Sequence, residues 1–327
     1  MQRGGLKGCR KETLLQTHEK HFVLGAGIIG CSIALELAER GAQVTLVEQH
    51  APLQQASIAA AGMLAAGDPH NPSELRSFSE YSLGLYDDFL DHIERYSHTR
   101  VAYQTSRTWQ YTEGGSKDLL EEHSLDPREL ARALHQAVLA SPVELIEHAS
   151  GFTPPASCKV IYAAGAWTGG LLNLPIRPAK GQMLRVAIPQ GLTLHEVHRG
   201  EHIYVVPRTH GPQAGTALIG ATVEDAGFDT EIHLRDLELF RAQAAEFVPE
   251  LASAAHAPMV EAWAGLRPAT PDHLPLLGRL NNHTFIAAGH FRNGILLAPG
   301  TAKLVADLLE GKPPAIDLTA FAPGRFS

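Results

Sequence analysis

The first sustained apolar pattern in the chain begins at His21. His21-Phe-Val-Leu24 is a short apolar run that predicts a buried strand, and Gly25-Ala-Gly-Ile-Ile-Gly30 follows at once. Residues 31–40 place Ile33, Ala34, Leu37 and Ala38 on one face at helical spacing, with Gly41 closing the helix. Gln43-Val-Thr-Leu-Val-Glu48 predicts a second buried strand, so the stretch reads as one β-α-β unit and implies a parallel sheet. Leu75, Phe78, Tyr81, Leu85, Phe89 and Ile93 then recur at helical steps across 73–96. Residues 101–112 are β-like, Gly114-Gly115 is a turn, and the short segment from 112 to 126 reads as that turn with a few polar residues. Asp126-Pro127-Arg128-Glu129 opens another helix, with Asp126 as cap, Pro127 at the first helical position and Glu129 completing a capping box. Residues 143–147 and 160–163 predict short strands around a loop at 150–155. The runs 183–187, 202–207 and 216–221 alternate as an antiparallel sheet would. A helix over 234–247, strands over 262–265 and 284–288, and a last helix over 300–309 complete the pattern, which contains no repeat.

Composition narrows the classes. The 327 residues leave room for about two domains. With 44% apolar and 19% charged residues the chain is globular rather than disordered. A net charge of −8 argues against a nucleic-acid partner, which needs a basic face. No apolar run is long enough to span a bilayer, so no membrane partner is expected. Cys9, Cys31 and Cys158 make neither a disulfide framework nor a CxxC pair, which fits a reducing cytoplasm. The 18 histidines include no HExxH and no cluster with cysteine, so no metal site is expected. Residues 1–20 are polar and mildly basic, without the apolar core of a secretory signal. They read as a flexible extension, or as a start codon placed upstream of the domain.

The β-α-β unit carries chemistry. Gly25 permits a tight turn, Gly27 lets a pyrophosphate approach the backbone, and Gly30 lets helix and strand pack closely. The pyrophosphate would lie at the helix N-terminus, where free N–H groups and the dipole favour anions. Glu48, at the end of the second strand, can accept both ribose hydroxyls of an adenosine and would repel a 2′-phosphate. The unit predicts a dinucleotide and leaves NAD and FAD open.

Other stretches bear on that choice: Ala56-Ser-Ile-Ala-Ala-Ala-Gly-Met-Leu64, Val160-Ile-Tyr-Ala-Ala-Gly-Ala-Trp-Thr168, Lys180-Gly-Gln182, Ile203-Tyr-Val-Val-Pro-Arg208, Leu218-Ile-Gly-Ala-Thr222, Trp263-Ala-Gly-Leu-Arg-Pro268 and Ala287-Ala-Gly-His-Phe-Arg-Asn-Gly-Ile-Leu-Leu-Ala-Pro299. From about residue 21 to 309 the chain resembles the FAD-dependent amino-acid oxidases of the D-amino-acid oxidase superfamily, above all the glycine oxidases of bacterial thiamine synthesis. The resemblance implies an α/β fold in which a Rossmann-like FAD-binding domain carries an inserted α+β substrate domain with an antiparallel sheet. The FAD-binding domain would comprise residues 21–75, 126–178 and 265–327, and the substrate domain 76–125 and 179–264. The implied activity is oxidative deamination of glycine or another small amine acid, such as sarcosine or a small D-amino acid. Hydride passes to flavin and oxygen is the acceptor, giving an imino acid and hydrogen peroxide. Family members often form homotetramers, so a homo-oligomer is implied.

Site residues follow from the same resemblance. Non-covalent FAD is implied at Gly25, Gly27, Ile28, Ile29, Gly30, Glu48 and Gln49, then at Ser57, Ala61, Gly62 and Met63, at Gly165, and at His290, Phe291, Arg292, Asn293, Gly294, Ile295 and Leu296. The C-terminal flavin loop has no cysteine to attach the flavin covalently. Arg267 would bind the substrate carboxylate, for which a planar guanidinium supplies a bidentate fork. Tyr204 would donate to the same carboxylate, Met63 would line the pocket, and Arg292 would lie near the substrate. The helix after Gly294 would point its N-terminus at the flavin's pyrimidine end. No general base is assigned, because a neutral amine needs none for hydride transfer. Between 147 and 160 the family carries a β-meander over the adenosine, and here only Ser150-Gly-Phe-Thr-Pro-Pro155 stands in its place. Three alternative readings remain: an amino-acid or sarcosine dehydrogenase with another acceptor, a trimmed non-catalytic flavin-binding protein, and a nicotinamide dehydrogenase.

Overall fold

The structure, a computed structural model, describes residues 20–112 and 114–326. The extension expected over 1–20 lies outside these, except for Lys20, which opens the first strand. Two large sheets carry the fold. The first has six strands in the order Leu276–Arg279, Thr284–Ala288, Lys159–Tyr162, Lys20–Leu24, Gln43–Val47 and Glu144–Ile146. All neighbours are parallel except the first pair. Leu24 is level with both Val47 and Tyr162, so three strands end together beneath the glycine loop. The central positions Val23, Leu46, Ile161 and Ile286 have no exposed surface, as strands covered on both faces require. The helix Ile28–Glu39 packs against both Pro127–Ala140 and Gly294–Leu309.

The second sheet has seven strands in the order Met259–Ala269, Arg177–Ala187, Thr216–Gly220, Tyr204–Arg208, Val197–Arg199, Thr108–Tyr111 and Lys117–Leu120. It is antiparallel except where Val197–Arg199 meets Thr108–Tyr111. Each central strand divides its apolar residues between two faces. Leu184, Val205 and Ile219 pack under the helix Leu234–Ala244, while Met183, Val206 and Leu218 turn toward Ala61 and Met63. That second face sets these strands against the segment following the second parallel strand.

Several boundaries differ from the sequence pattern, each for a tertiary reason. The last helix begins at Gly294, not at 300, and runs through Pro299. An interior proline frees the carbonyl four residues earlier. Here Tyr86 Oη donates to that carbonyl, on Ile295, at 3.0 Å. The Ser82 hydroxyl inserts one position later, accepting from Gly300 N at 2.9 Å and donating to Leu296 O at 2.7 Å. The helical stretch expected over 73–96 is accordingly broken into Ser73–Leu75, Arg76–Leu83 and Tyr86–Ser97. Residues 101–112 form two strands that join different sheets, and the segment after 112 forms the strand Lys117–Leu120 as well as a turn. Asp126 caps its helix by accepting from Arg128 N at 2.8 Å. The Glu129 carboxylate lies against Gly211 instead of closing the box. The strands Arg177–Ala187 and Met259–Ala269 are longer than their apolar runs, because Lys180, Gln182 and Arg185 are buried in polar contacts.

Candidate functional site

A cavity of about 1280 Å³ lies between the carboxyl ends of the parallel strands and the antiparallel sheet. It exceeds the roughly 300–1,000 Å³ of an ordinary small-ligand pocket. Of the residues singled out by sequence, Gly25, Gly27, Ile28, Ile29, Glu48, Gln49, Ser57, Ala61, Gly62, Met63, Gly165, Tyr204, Arg267, His290, Phe291, Arg292, Asn293, Gly294 and Ile295 all line it. Gly30 and Leu296 do not. A Cβ on Gly30 would lie 1.8 Å from Gly25 O, so its place is in the packing beneath the loop. Leu296 is 1% exposed and faces the core, as the helical turn after Ile295 dictates.

The glycine loop forms a cradle. Gly25 has φ +103, which glycine adopts without strain. A Cβ on Gly27 would meet only Ser57 Oγ, at 3.4 Å, so its face toward the cavity is open. Ala26 N donates to Glu48 Oε2 at 2.8 Å and Ile28 N to Ser57 Oγ at 2.9 Å. No N-cap side chain covers the helix start. Each Glu48 oxygen retains a lone pair, since a carboxylate offers about four acceptor sites and Ala26 N and His50 N occupy two. The shortened 147–160 segment still reaches the cavity. Ala149 N donates to Glu48 O at 2.9 Å, and Phe152 packs on Phe22 with ring centroids 5.7 Å apart. A helix N-terminus whose N-cap is glycine, an open glycine face and spare carboxylate acceptors fit an adenine dinucleotide such as FAD.

At the other end stands Arg267. Its guanidinium lies where a Cβ on Gly181 would be, 2.1 Å from Nη1, so only glycine there admits it. Nη1 donates to Thr222 O at 2.9 Å and to Lys180 O at 3.4 Å. Among the described residues no carboxylate lies within ion-pair distance of it, and at the cavity it lines the guanidinium meets the Tyr204 side chain. Burial lowers its pKa from the ordinary arginine value. Tyr204 lies beside it, and burial raises that phenol against the pull of the guanidinium. The Tyr204 hydroxyl donates to Met183 Sδ at 3.2 Å, a weak acceptor that a carboxylate oxygen would displace.

The loop His290–Asn293 is held by contacts that the sequence pattern does not reveal. Arg292 Nη2 donates to His70 O at 3.2 Å and lies 3.9 Å from Asp68 Oδ2. Asn293 Nδ2 donates to Asn71 Oδ1 at 2.9 Å. The only sequence signal for these anchors was the polar character of 68–71 between two apolar segments. The helix beginning at Gly294 has no capping side chain, and its first residues line the cavity. His290 is 2% exposed with Nε2 3.0 Å from Thr301 Oγ1, and burial depresses its pKa to about 3. It is neutral in the folded protein at any pH near 7, whereas an unfolded histidine titrates near 6.5. Between those values only the unfolded state binds the proton, so stability falls on acidification from about pH 6.5 toward 3, by a few kcal/mol for this residue alone. His290→Gln is expected to lose less stability than the parent between pH 7 and 5 in denaturant unfolding. Parallel losses in the two proteins would remove this assignment.

His198 and His202 stand four residues apart, but His198 Nδ1 bonds the Tyr111 hydroxyl at 2.9 Å while His202 is exposed past a bend. Among the described residues no group of three or more His, Cys, Asp or Glu side chains is placed to hold a metal ion. No helix there is long and apolar enough to cross a membrane.

Comparisons with known proteins agree with this geometry. The family model for FAD dependent oxidoreductases matches residues 20–122 and 110–308. A bifunctional ThiO/ThiG protein of Trichormus variabilis is 32% identical over 366 aligned positions, covering 93% of this chain and 54% of its own length. The chain thus spans about half the length of the bifunctional relatives it matches. The glycine oxidase of Pseudomonas aeruginosa is 31% identical and is covered over 98% of its length, against 93% of this chain. Its alignment runs over 367 positions, more than the 327 residues here, so the relatives carry segments that this chain lacks. The crystal structure of glycine oxidase from Geobacillus kaustophilus superposes with a TM-score of 0.84 at 27% identity, covering 94% of this chain and 99% of that one.

Proposed function

Since the chain belongs to the FAD dependent oxidoreductase family, we propose that it oxidises glycine or another small amine acid, such as sarcosine or a small D-amino acid, with oxygen as the electron acceptor. The products are an imino acid and hydrogen peroxide. The imine serves thiazole formation in thiamine synthesis, or hydrolyses to an oxo acid and ammonia, in the cytoplasm. Similarity to glycine oxidases and to the ThiO/ThiG proteins supports this substrate class.

The observation that carries the reading is an arginine with no carboxylate partner among the described residues, in the same cavity as an open glycine cradle. Gly25 to Ile29 would hold the pyrophosphate, Glu48 the ribose, and the first turn of the helix from Gly294 the negative end of the reduced ring. Bound FAD supplies the hydride acceptor and the route of electrons to oxygen. Arg267 grips the substrate carboxylate with Tyr204 beside it, and the α-carbon is thereby held in one orientation. Met63 and the apolar wall of Ala61 and Met183 exclude water from that end. No side chain is assigned as general base, and His290, held neutral by burial, is a weak proton acceptor near pH 7.

The test is direct. The purified protein is expected to be yellow, and glycine added without oxygen is expected to bleach its visible band, with peroxide formed once air is admitted. A yellow protein that no small amine acid bleaches would refute the reading.

A further inference from the structure

Beside Arg267 a polar network fastens the segment that follows the strand Thr216–Gly220. Lys180 and Gln182, on the strand Arg177–Ala187, are both 0% exposed. Lys180 exchanges two backbone hydrogen bonds with Glu224, each 2.9 Å. Its Nζ donates to Asp229 Oδ2 at 2.7 Å and lies 3.8 Å from Glu224 Oε2. Gln182 uses both ends of its amide. Nε2 donates to Glu224 Oε1 at 2.9 Å and to Asp236 Oδ2 at 2.6 Å, while Oε1 accepts from His233 N at 2.7 Å. Its backbone N donates to Thr222 Oγ1 at 2.9 Å, and the Thr222 hydroxyl donates on to Glu224. The two buried side chains therefore hold residues 224, 229, 233 and 236, and residue 222 is held by the Gln182 backbone N–H and by its own bond to the fastened Glu224.

The fastened segment also touches the site. The carbonyl of Thr222 accepts from Arg267 Nη1 at 2.9 Å, and the carbonyl of Lys180 takes the same nitrogen at 3.4 Å. A free arginine side chain carries about 2 kcal/mol of rotamer entropy. Holding one edge of the guanidinium on two fixed carbonyls removes that cost before a ligand arrives and turns the other edge outward. If residue 222 drifts, Arg267 loses its anchor while the cofactor cradle, built on other elements, does not.

We propose that Lys180 and Gln182 are positioning residues for carboxylate recognition: they fix the segment 222–236, and its Thr222 carbonyl fixes the Arg267 guanidinium. The inference rests on Arg267 as the carboxylate-binding residue. Nothing in it requires Lys180 to meet substrate or to move a proton.

The experiment compares the holoproteins of the parent, Lys180→Met, Arg267→Leu and the double variant. Probes are glycine in steady state, and glycolate, a carboxylate without an amine, read by its perturbation of the flavin visible spectrum. Lys180→Met is expected to raise KM for glycine and Kd for glycolate by about tenfold, as a small misplacement of a binding group does. Its kcat should stay within about twofold and its FAD content unchanged. In the Arg267→Leu background the same change is expected to have no further effect on glycolate, because it acts through that guanidinium. Equal losses in both backgrounds, or a joint fall of kcat and FAD content with KM unchanged, would overturn the proposal. If Lys180→Met does not fold, Asp229→Leu removes the acceptor of the Lys180 Nζ from its half-exposed side, away from the cavity, and is read identically. An Arg267→Leu protein that binds glycolate like the parent would instead overturn the underlying assignment of Arg267.

Discussion

Arg267→Leu is expected to weaken the apparent affinity for glycine by about 30-fold to several thousand-fold, the equivalent of roughly 2–5 kcal/mol for breaking a buried charge-assisted contact. The magnitude follows from the environment. The guanidinium is desolvated, anchored on one edge by the carbonyls of Thr222 and Lys180, and free of any acidic partner within ion-pair distance among the described residues. A substrate carboxylate would be the missing counter-ion. Flavin content is expected to stay at the parent level, because the side chain bonds neither the glycine loop nor the helix from Gly294. Arg267→Lys is expected to recover little, since an ammonium cannot offer the planar fork and would leave the space over Gly181 part empty. Steady-state KM and glycolate titration measure both variants. An unchanged affinity for glycine in the leucine variant would show that the carboxylate binds elsewhere.

Gly30→Ala is expected to abolish stable FAD binding. A methyl group there would lie 1.8 Å from Gly25 O and 3.4 Å from Val23 Cγ1. The first obstacle is backbone, so no rotamer change relieves it. The helix Ile28–Glu39 would have to lift from the strand Lys20–Leu24, and the N–H groups at its start would move with it. Overpacking of this kind costs about 1–3 kcal/mol even where side chains can adjust. The ratio of flavin to protein absorbance should fall at least tenfold, with a lower thermal midpoint. Gly84→Ala is the control. Its added methyl would sit in ordinary contact, 3.5 Å from Tyr81 O, at φ −63 and away from the cavity, so it should leave both readings unchanged. A yellow Gly30→Ala protein with the parent's midpoint would contradict the packing role given to this glycine.

The two variants probe parts of the site that were unequally legible in the sequence. The glycine loop is local: strand, turn, helix and acid follow one another within thirty residues, and a parallel pairing leaves that loop a single place to go. Arg267 was legible only through its neighbours in the motif Ala-Gly-Leu-Arg-Pro. What holds it, the Thr222 carbonyl, lies 45 residues away. Asp68, His70 and Asn71, which tether the loop at Arg292 and Asn293, had no pattern to announce them, because a hydrogen bond between two loops leaves no periodicity in either. Pro299 actively misled. By propensity it breaks a helix, and it is tolerated only because the Tyr86 and Ser82 hydroxyls satisfy the backbone groups it disturbs.

From its amino-acid order alone the chain determined the parallel unit, its nucleotide cradle, the alternation of the second sheet and the cap of the helix at Asp126. Each of these rests on interactions between residues a few positions apart, whose energies depend on spacing. Only the tertiary structure decided which face of the second sheet meets Ala61 and Met63, where the last helix starts, and how Lys180, Gln182 and Thr222 fasten the arginine. Those outcomes depend on contacts between distant segments, and the polar side chains that make them look in the sequence like the solvated residues of any surface.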